Sequence, residues 1–157
     1  MNKTVAACSA FVLLFACGIS SCKSSGGAAP ENPGVYVMTN SSSDNSILVF
    51  NREDSSLLKE GVSISTQGKG SGSSPNPLNS QGSLTLSGDK KWLLAVNAGS
   101  NEISVLGVSE EGLSFASKTS SLGQFPVSLA VLGNLVFVLN AKSSPPNITP
   151  FTINLAV

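Results

Sequence analysis

The sequence predicts an all-β chain built from a repeated antiparallel unit, and two observations carry that prediction. The first is a phrase that occurs three times: Val35-Tyr-Val-Met-Thr-Asn40, Trp92-Leu-Leu-Ala-Val-Asn97 and Leu135-Val-Phe-Val-Leu-Asn140, each a short apolar run closed by asparagine. The second is a β-rich partner run that comes after each copy, a few polar or glycine residues later: Asn45-Ser-Ile-Leu-Val-Phe50, Asn101-Glu-Ile-Ser-Val-Leu106 and Asn147-Ile-Thr-Pro-Phe151. Asn97 and Asn140 lie 43 residues apart, within the roughly 40 to 50 that one four-stranded propeller blade takes. Asn40 and Asn97 lie 57 apart, and residues 67–82 (QGKGSGSSPNPLNSQG) supply the excess. Such a Gly/Ser/Pro/Asn loop lengthens one unit without touching its strands. The expected architecture is β-propeller blades of four-stranded antiparallel sheets in an incomplete ring.

Taken in order, alternation and turn signals place strands near 35–40, 46–51 and 57–65 in the first unit. The second unit supplies 83–87, 91–97, 102–108 and 113–119, and the third 127–131, 134–140 and 147–154. Val, Ile, Leu and Phe dominate these runs while Ser, Gly, Asn, Asp and Pro lie between them, the composition that a pleated, half-buried sheet selects. In Ser87-Gly-Asp-Lys90, Leu132-Gly-Asn134 and Glu110-Glu-Gly112, glycine is expected to supply the positive φ of a tight hairpin. Pro150 interrupts the last run, which points to an edge or a bulge. On this reading the first unit lacks its innermost strand and the third its outermost.

Successive turns of an up-and-down sheet lie at opposite ends. The loops 40–45, 67–82, 97–101, 120–126 and 140–147 are therefore expected on one face, with only tight turns on the other. Asn97, Ser100, Asn101, Glu102 and Asn140 are the candidate ligand face.

The first residues stand apart from the fold. Lys3 opens a basic start, residues 10–16 (AFVLLFA) form an apolar core too short to span a bilayer, and small residues come after it. Residues 1–21 are read as an export signal whose end, Ile19-Ser-Ser-Cys22, resembles the bacterial lipoprotein signal. That resemblance implies lipidation of Cys22 and a membrane partner through the anchor. An ordinary cleaved signal that contains cysteines is the alternative. Residues 22–34 are read as the lipidated cysteine and a Gly/Pro/Ser tether, and 35–157 as the folded domain. Lys23 is not the acidic residue that would suggest inner-membrane retention, so the outer membrane is favoured, on an unspecified side. Cys8, Cys17 and Cys22 all lie in or beside the signal, which leaves the domain without a thiolate metal site or a disulfide.

The repeat also carries a family resemblance. Ser83-Leu-Thr-Leu-Ser-Gly-Asp-Lys-Lys-Trp-Leu-Leu-Ala-Val-Asn-Ala-Gly-Ser-Asn-Glu-Ile-Ser-Val-Leu106 resembles the blade signature of the lactonase-type, or YVTN-type, seven-bladed β-propellers. That group includes 6-phosphogluconolactonase-like and carboxymuconate-cyclase-like proteins. The resemblance covers about residues 34–154 and implies a fold more than an activity, since the same blade serves enzymes, binding proteins and surface proteins. No catalytic residue carries over, because no catalytic motif of the family is matched.

The chemistry available is sparse. The chain has no histidine, which removes the commonest general base and metal ligand and any Ser/His/Asp arrangement. Nine Lys plus Arg balance nine Asp plus Glu, with no basic footprint for nucleic acid. Glu53-Asp54 and Glu110-Glu111 sit at hairpins, and Asp89 is expected to cap its turn. Glu102 is the one acid beside the candidate face. Gly68-Lys69-Gly70 lacks the Ser or Thr of a phosphate loop, so the segment is read as an inter-blade loop. Trp92 and Tyr36 are expected in the core. No cofactor or metal is expected. The leading expectation is a lipid-anchored envelope protein whose partial propeller is a non-catalytic binding or interaction module, with self-association or a second chain completing the ring. A lactone hydrolase or cycloisomerase active only as a complete ring is the enzymatic alternative, and a truncated, non-functional fragment the third.

Overall fold

A computed structural model of the chain describes residues 34–53, 57–72, 76 and 81–154. The export signal, Cys22, the tether up to residue 33, Asp54 and most of 73–80 lie outside the described residues. Within them the chain is all β, with no helix and three antiparallel sheets that do not close a ring. The first sheet holds β1 (Val35–Met38), β2 (Ser46–Glu53) and β3 (Leu57–Ser65) in sequence order. The second holds β4 (Leu84–Leu86), β5 (Trp92–Asn97), β6 (Glu102–Ser109) and β7 (Gly112–Ser120). β8 (Pro126–Leu132), β9 (Leu135–Asn140) and β10 (Asn147–Thr152) form the third, with β10 at its edge.

The sheets stack face to face. β8 packs against β4 and β5, and β3 packs against β7, so inner strands meet inner strands and outer strands meet outer ones. This explains a difference between two nearly identical apolar runs. β5 is buried along almost its whole length, because Leu93 and Ala95 face one neighbouring sheet while Leu94 and Val96 face the other. β9 is buried only at alternate residues: Val136, Val138 and Asn140 are covered, while Leu135, Phe137 and Leu139 remain 41%, 39% and 37% exposed. A run with apolar residues at every position is suited to burial on both faces, and in the third sheet one face stays open. One core joins Met38, Ile47 and Val49 to Leu93–Val96, Ile103, Leu106 and Leu113, and onward to Leu129, Val136 and Val138. Each Val, Leu, Ile or Met among them contributes roughly 1.5–3 kcal/mol when fully buried. Tyr36 and Trp92 pack against this core from half-buried positions, and burial pushes the Tyr36 phenol up.

Two expectations about local geometry need correction. Glycine supplies positive φ at Gly112 and Gly133, but in the Ser87–Lys90 turn Lys90 adopts it, with φ 61°. There the turn is held by Asp89, which accepts hydrogen bonds from the Ser87 hydroxyl at 2.6 Å and the Lys91 amide at 3.1 Å. The second correction concerns the repeat. Asn97 stands opposite Glu102 and Asn140 opposite Asn147, whereas in the first sheet Thr39, not Asn40, pairs with Ser46. Asn40 falls two residues beyond the end of β1 in a left-handed conformation, φ 56°. The connection after β1 is longer than the one after β5, and the extra chain moves the asparagine out of register.

Candidate functional site

The asparagines that close β5 and β9 turn inward at the seams between sheets. Asn97 is fully buried. Its Oδ1 accepts from Asn45 Nδ2 at 2.9 Å and lies 2.7 Å from the Thr66 hydroxyl, while its Nδ2 donates to Ser104 Oγ at 2.7 Å. Ser104 in turn donates to the Thr66 carbonyl at 2.7 Å. Asn45 completes the seam with a bond from Nδ2 to the Val96 carbonyl and one to its Oδ1 from the Asn40 amide. The residues that flank the first sheet, Asn45 and Thr66, are thus tied to the second through Asn97, Ser104 and the Val96 carbonyl.

Close approach makes this possible. A Cβ on Gly68 would overlap the Asn97 carboxamide, and a Cβ on Gly123 would overlap that of Asn140. The glycines of the long loop therefore serve contact as well as length. Gly70 and Gly72 donate to the Ser41 and Asn40 carbonyls, and Gly99 donates to the Lys69 carbonyl. The described part of this loop, 67–72, is pinned between two turns.

The second seam repeats the first imperfectly. Asn140, also fully buried, donates through Nδ2 to the Ser121 carbonyl and the Thr149 hydroxyl, both at 3.1 Å. Its Oδ1 has no partner. The residue matching Asn45 is Asn101, whose carbonyl accepts from Ser121 as that of Asn45 does from Thr66. Its Oδ1 accepts from the Phe125 amide at 2.7 Å, so this side chain serves the loop and does not reach the seam. The Ser121 hydroxyl, matching Thr66, donates to the Gly123 carbonyl at 3.2 Å.

These bonds draw the loops 40–45, 67–72, 97–101, 120–126 and 140–147 to one end of the stack, as the alternation of turns implies. Of the five residues of the candidate face, Asn97 and Asn140 lie beneath it with their amides directed into the seams. Ser100, Asn101 and Glu102 stand at the surface. Ser100 Oγ accepts from the Lys69 amide at 3.0 Å. Glu102 pairs with Lys118 at 2.9 Å, and Lys118 Nζ also donates to the Gln67 carbonyl at 2.8 Å, linking β7 to the loop that leaves the first sheet. Burial pushes the Glu102 carboxyl up, but hydrogen bonds from Ser100 and Lys118 and the lysine charge outweigh it and hold the group below its ordinary value. Further along the face, Lys142 Nζ lies 3.9 Å over the Phe125 ring. The face carries hydroxyls, amides, the Glu102–Lys118 ion pair and the Asp44 carboxylate, which accepts from the Ser46 hydroxyl at 3.2 Å and the Ser65 hydroxyl at 2.6 Å. Among the described residues no three Asp, Glu, His or Cys gather as metal ligands would.

Lys118, Asn45 and Thr66 are the residues that sequence reasoning missed. Nothing local marks them, because each acts across a seam on a residue more than 15 positions away.

Among the described residues, three stacked antiparallel sheets, one of four strands and two of three, are arranged as successive propeller blades. The sequence profile described as "Lactonase, 7-bladed beta-propeller" matches residues 28–156. The chain belongs to this family. No curated protein and no solved structure matches it. In this lactonase-type propeller chain the described strands amount to three blades, one of four strands and two of three.

Proposed function

We propose that this chain is a lipid-anchored protein of the bacterial cell envelope whose lactonase-type propeller segment is a non-catalytic binding module. Ser100, Asn101 and Glu102 form its ligand-facing surface. One observation carries the non-catalytic reading: Glu102, the acid of that trio, pairs with Lys118 at 2.9 Å, and its carboxyl is held below its ordinary value by Ser100 and Lys118. A carboxylate with a lowered pKa is a poor proton acceptor at neutral pH, and the sequence holds no histidine to replace it. Purified protein should leave a panel of lactones unhydrolysed, and turnover that drops on Glu102→Gln would refute the reading. That result would instead support the second reading, which the family match favours: a lactone hydrolase or cycloisomerase of the 6-phosphogluconolactonase-like kind.

The anchor rests on the Ile19-Ser-Ser-Cys22 signal. More than one acyl chain on a single residue gives a stable membrane attachment. Metabolic labelling with radioactive palmitate should mark the protein and fail on Cys22→Ala. Fractionation should place it in the outer membrane. Val35 and Val37 at one end of the stack and Leu135, Phe137 and Leu139 at the other are open apolar positions on sheet faces, of the kind that association covers. Self-association or a second chain is the proposed cover. Light scattering should then give a discrete mass above that of one chain.

A further inference from the structure

Two exposed lysines of the loop face flank Ser100 and Asn101. The Lys69 amide donates to Ser100 Oγ at 3.0 Å and its carbonyl accepts from the Gly99 amide at 2.9 Å, which fixes Lys69 beside the turn between β5 and β6. Asn101 follows Ser100 in that turn. Its Oδ1 accepts from the Phe125 amide at 2.7 Å, and its Nδ2 is left as a donor at the surface. Phe125 in turn lies beneath Lys142, whose Nζ stands 3.9 Å from the ring. The loops that carry them are joined: Ala141 and Lys142 donate to the Phe125 and Gln124 carbonyls, and the Gln124 amide donates to Ser143 Oγ at 2.9 Å. Lysine, hydroxyl, carboxamide and lysine thus succeed one another from the second sheet to the third.

The charge at the two ends of this line is not cancelled within the face. Among the described residues neither Lys69 nor Lys142 lies within ion-pair distance of a carboxylate. The acids of the face are engaged elsewhere, Glu102 by Lys118 and Asp44 by the hydroxyls of Ser46 and Ser65. Lys69 is held to the turn of the second sheet and Lys142 stands on that of the third, and stacked sheets lie about 10 Å apart. A small monoanion meets one of these cations. A ligand that meets both carries negative groups about 10 Å apart.

Between the cations the groups on offer are neutral ones, the side chains of Ser100, Asn101, Gln124 and Ser143. Peptides are captured at a strand edge, in an apolar groove or by an arginine cluster. This line crosses turns, holds no arginine, and keeps its aromatic ring buried under Lys142. Hydroxyls and carboxamides both donate and accept, as the hydroxyls of a sugar do.

We propose, on the reading of the loop face as the binding surface, that the line from Lys69 to Lys142 binds an acidic polysaccharide. Its carboxylates pair with the two lysines and its hydroxyls with Ser100 and Asn101.

Polygalacturonate serves as the probe, with dextran as the neutral control and poly-glutamate as the acidic peptide control. Calorimetric titration of the purified full chain should show saturable binding to polygalacturonate that weakens as salt is added, and none to dextran. Lys69→Gln and Lys142→Gln should each weaken it by about two- to fivefold, the worth of one exposed ion pair. Lys91→Gln, an exposed lysine at the opposite end of β5, should leave it unchanged. No binding to polygalacturonate, equal binding to poly-glutamate, or equal losses in Lys69→Gln and Lys91→Gln would overturn the proposal. Lactone turnover is read separately: it would refute the non-catalytic reading, whereas a lactone-inert protein that ignores polygalacturonate overturns only the choice of ligand.

Discussion

Asn97 and Asn140 close the same repeated run, are both fully buried, and should nevertheless differ sharply when truncated. Asn97 makes two side-chain hydrogen bonds of its own, with Asn45 and Ser104, and shares the one Thr66 hydroxyl proton with the Asn45 carbonyl. At a net of about 1 kcal/mol for each full bond, Asn97→Ala loses about 2–3 kcal/mol, to which the vacated carboxamide volume adds. The partners do not suffer the full desolvation cost. Asn45 Nδ2 keeps the Val96 carbonyl, Ser104 keeps the Thr66 carbonyl, and the Thr66 hydroxyl keeps the Asn45 carbonyl at 2.6 Å. Asn140 makes two bonds and leaves Oδ1 unpaired. Truncation there loses about 2 kcal/mol of bonding and removes an orphan acceptor whose burial costs about 1–3 kcal/mol. Asn140→Ala is therefore expected to cost about 1 kcal/mol or less. Urea unfolding followed by Trp92 emission measures both. With a slope of about 2 kcal/mol/M, the two midpoints should differ by about 1 M, Asn97→Ala being the lower. Coincident midpoints, or a lower midpoint for Asn140→Ala, would refute the claim that only the first seam is satisfied.

Three further outcomes are expected from the same geometry. Gly68→Ala should destabilise by about 1–3 kcal/mol through overlap with the Asn97 side chain, whereas Gly88→Ala, with open space around its Cβ, should leave the urea midpoint unchanged. Because the folded pKa of Glu102 lies below its ordinary 4.5, its contribution is present above that value and fades as pH falls through the folded pKa. For a partly exposed pair it amounts to about 0.2–1 kcal/mol. Lys118→Met should remove most of this acid-side dependence in denaturation curves recorded between about pH 3 and 6. Lys142→Ala should cost about 0.5–1 kcal/mol by loss of the contact over Phe125, visible as a small downward shift in the urea midpoint.

Much of the fold was legible in the residues because its determinants are local. Alternation in Glu102–Ser109, the continuous apolar run from Leu135 to Leu139, glycine at Gly112 and Gly133, and Asp89 at its turn each act within a few residues. The sharing of one face by the long loops comes from strand alternation alone, and the structure agrees with it. Strand ends proved shorter or longer by one or two residues where an end depends on its neighbour, as at β1 and β7. The candidate site was less legible. Asparagine after an apolar run looked alike in all three copies, yet Asn40 slipped beyond its strand, Asn97 became the hub of a seam and Asn140 an incomplete version of it.

By itself the sequence determined the all-β class, the repeat, the family and the end of the stack at which loops gather, since periodicity and turn chemistry are written into neighbouring residues. Only the tertiary structure decided which asparagines are hidden and that Lys118 restrains Glu102. Those outcomes depend on how far each connection lets one sheet slide against the next, and a shift of a single residue exchanges a buried side chain for an exposed one.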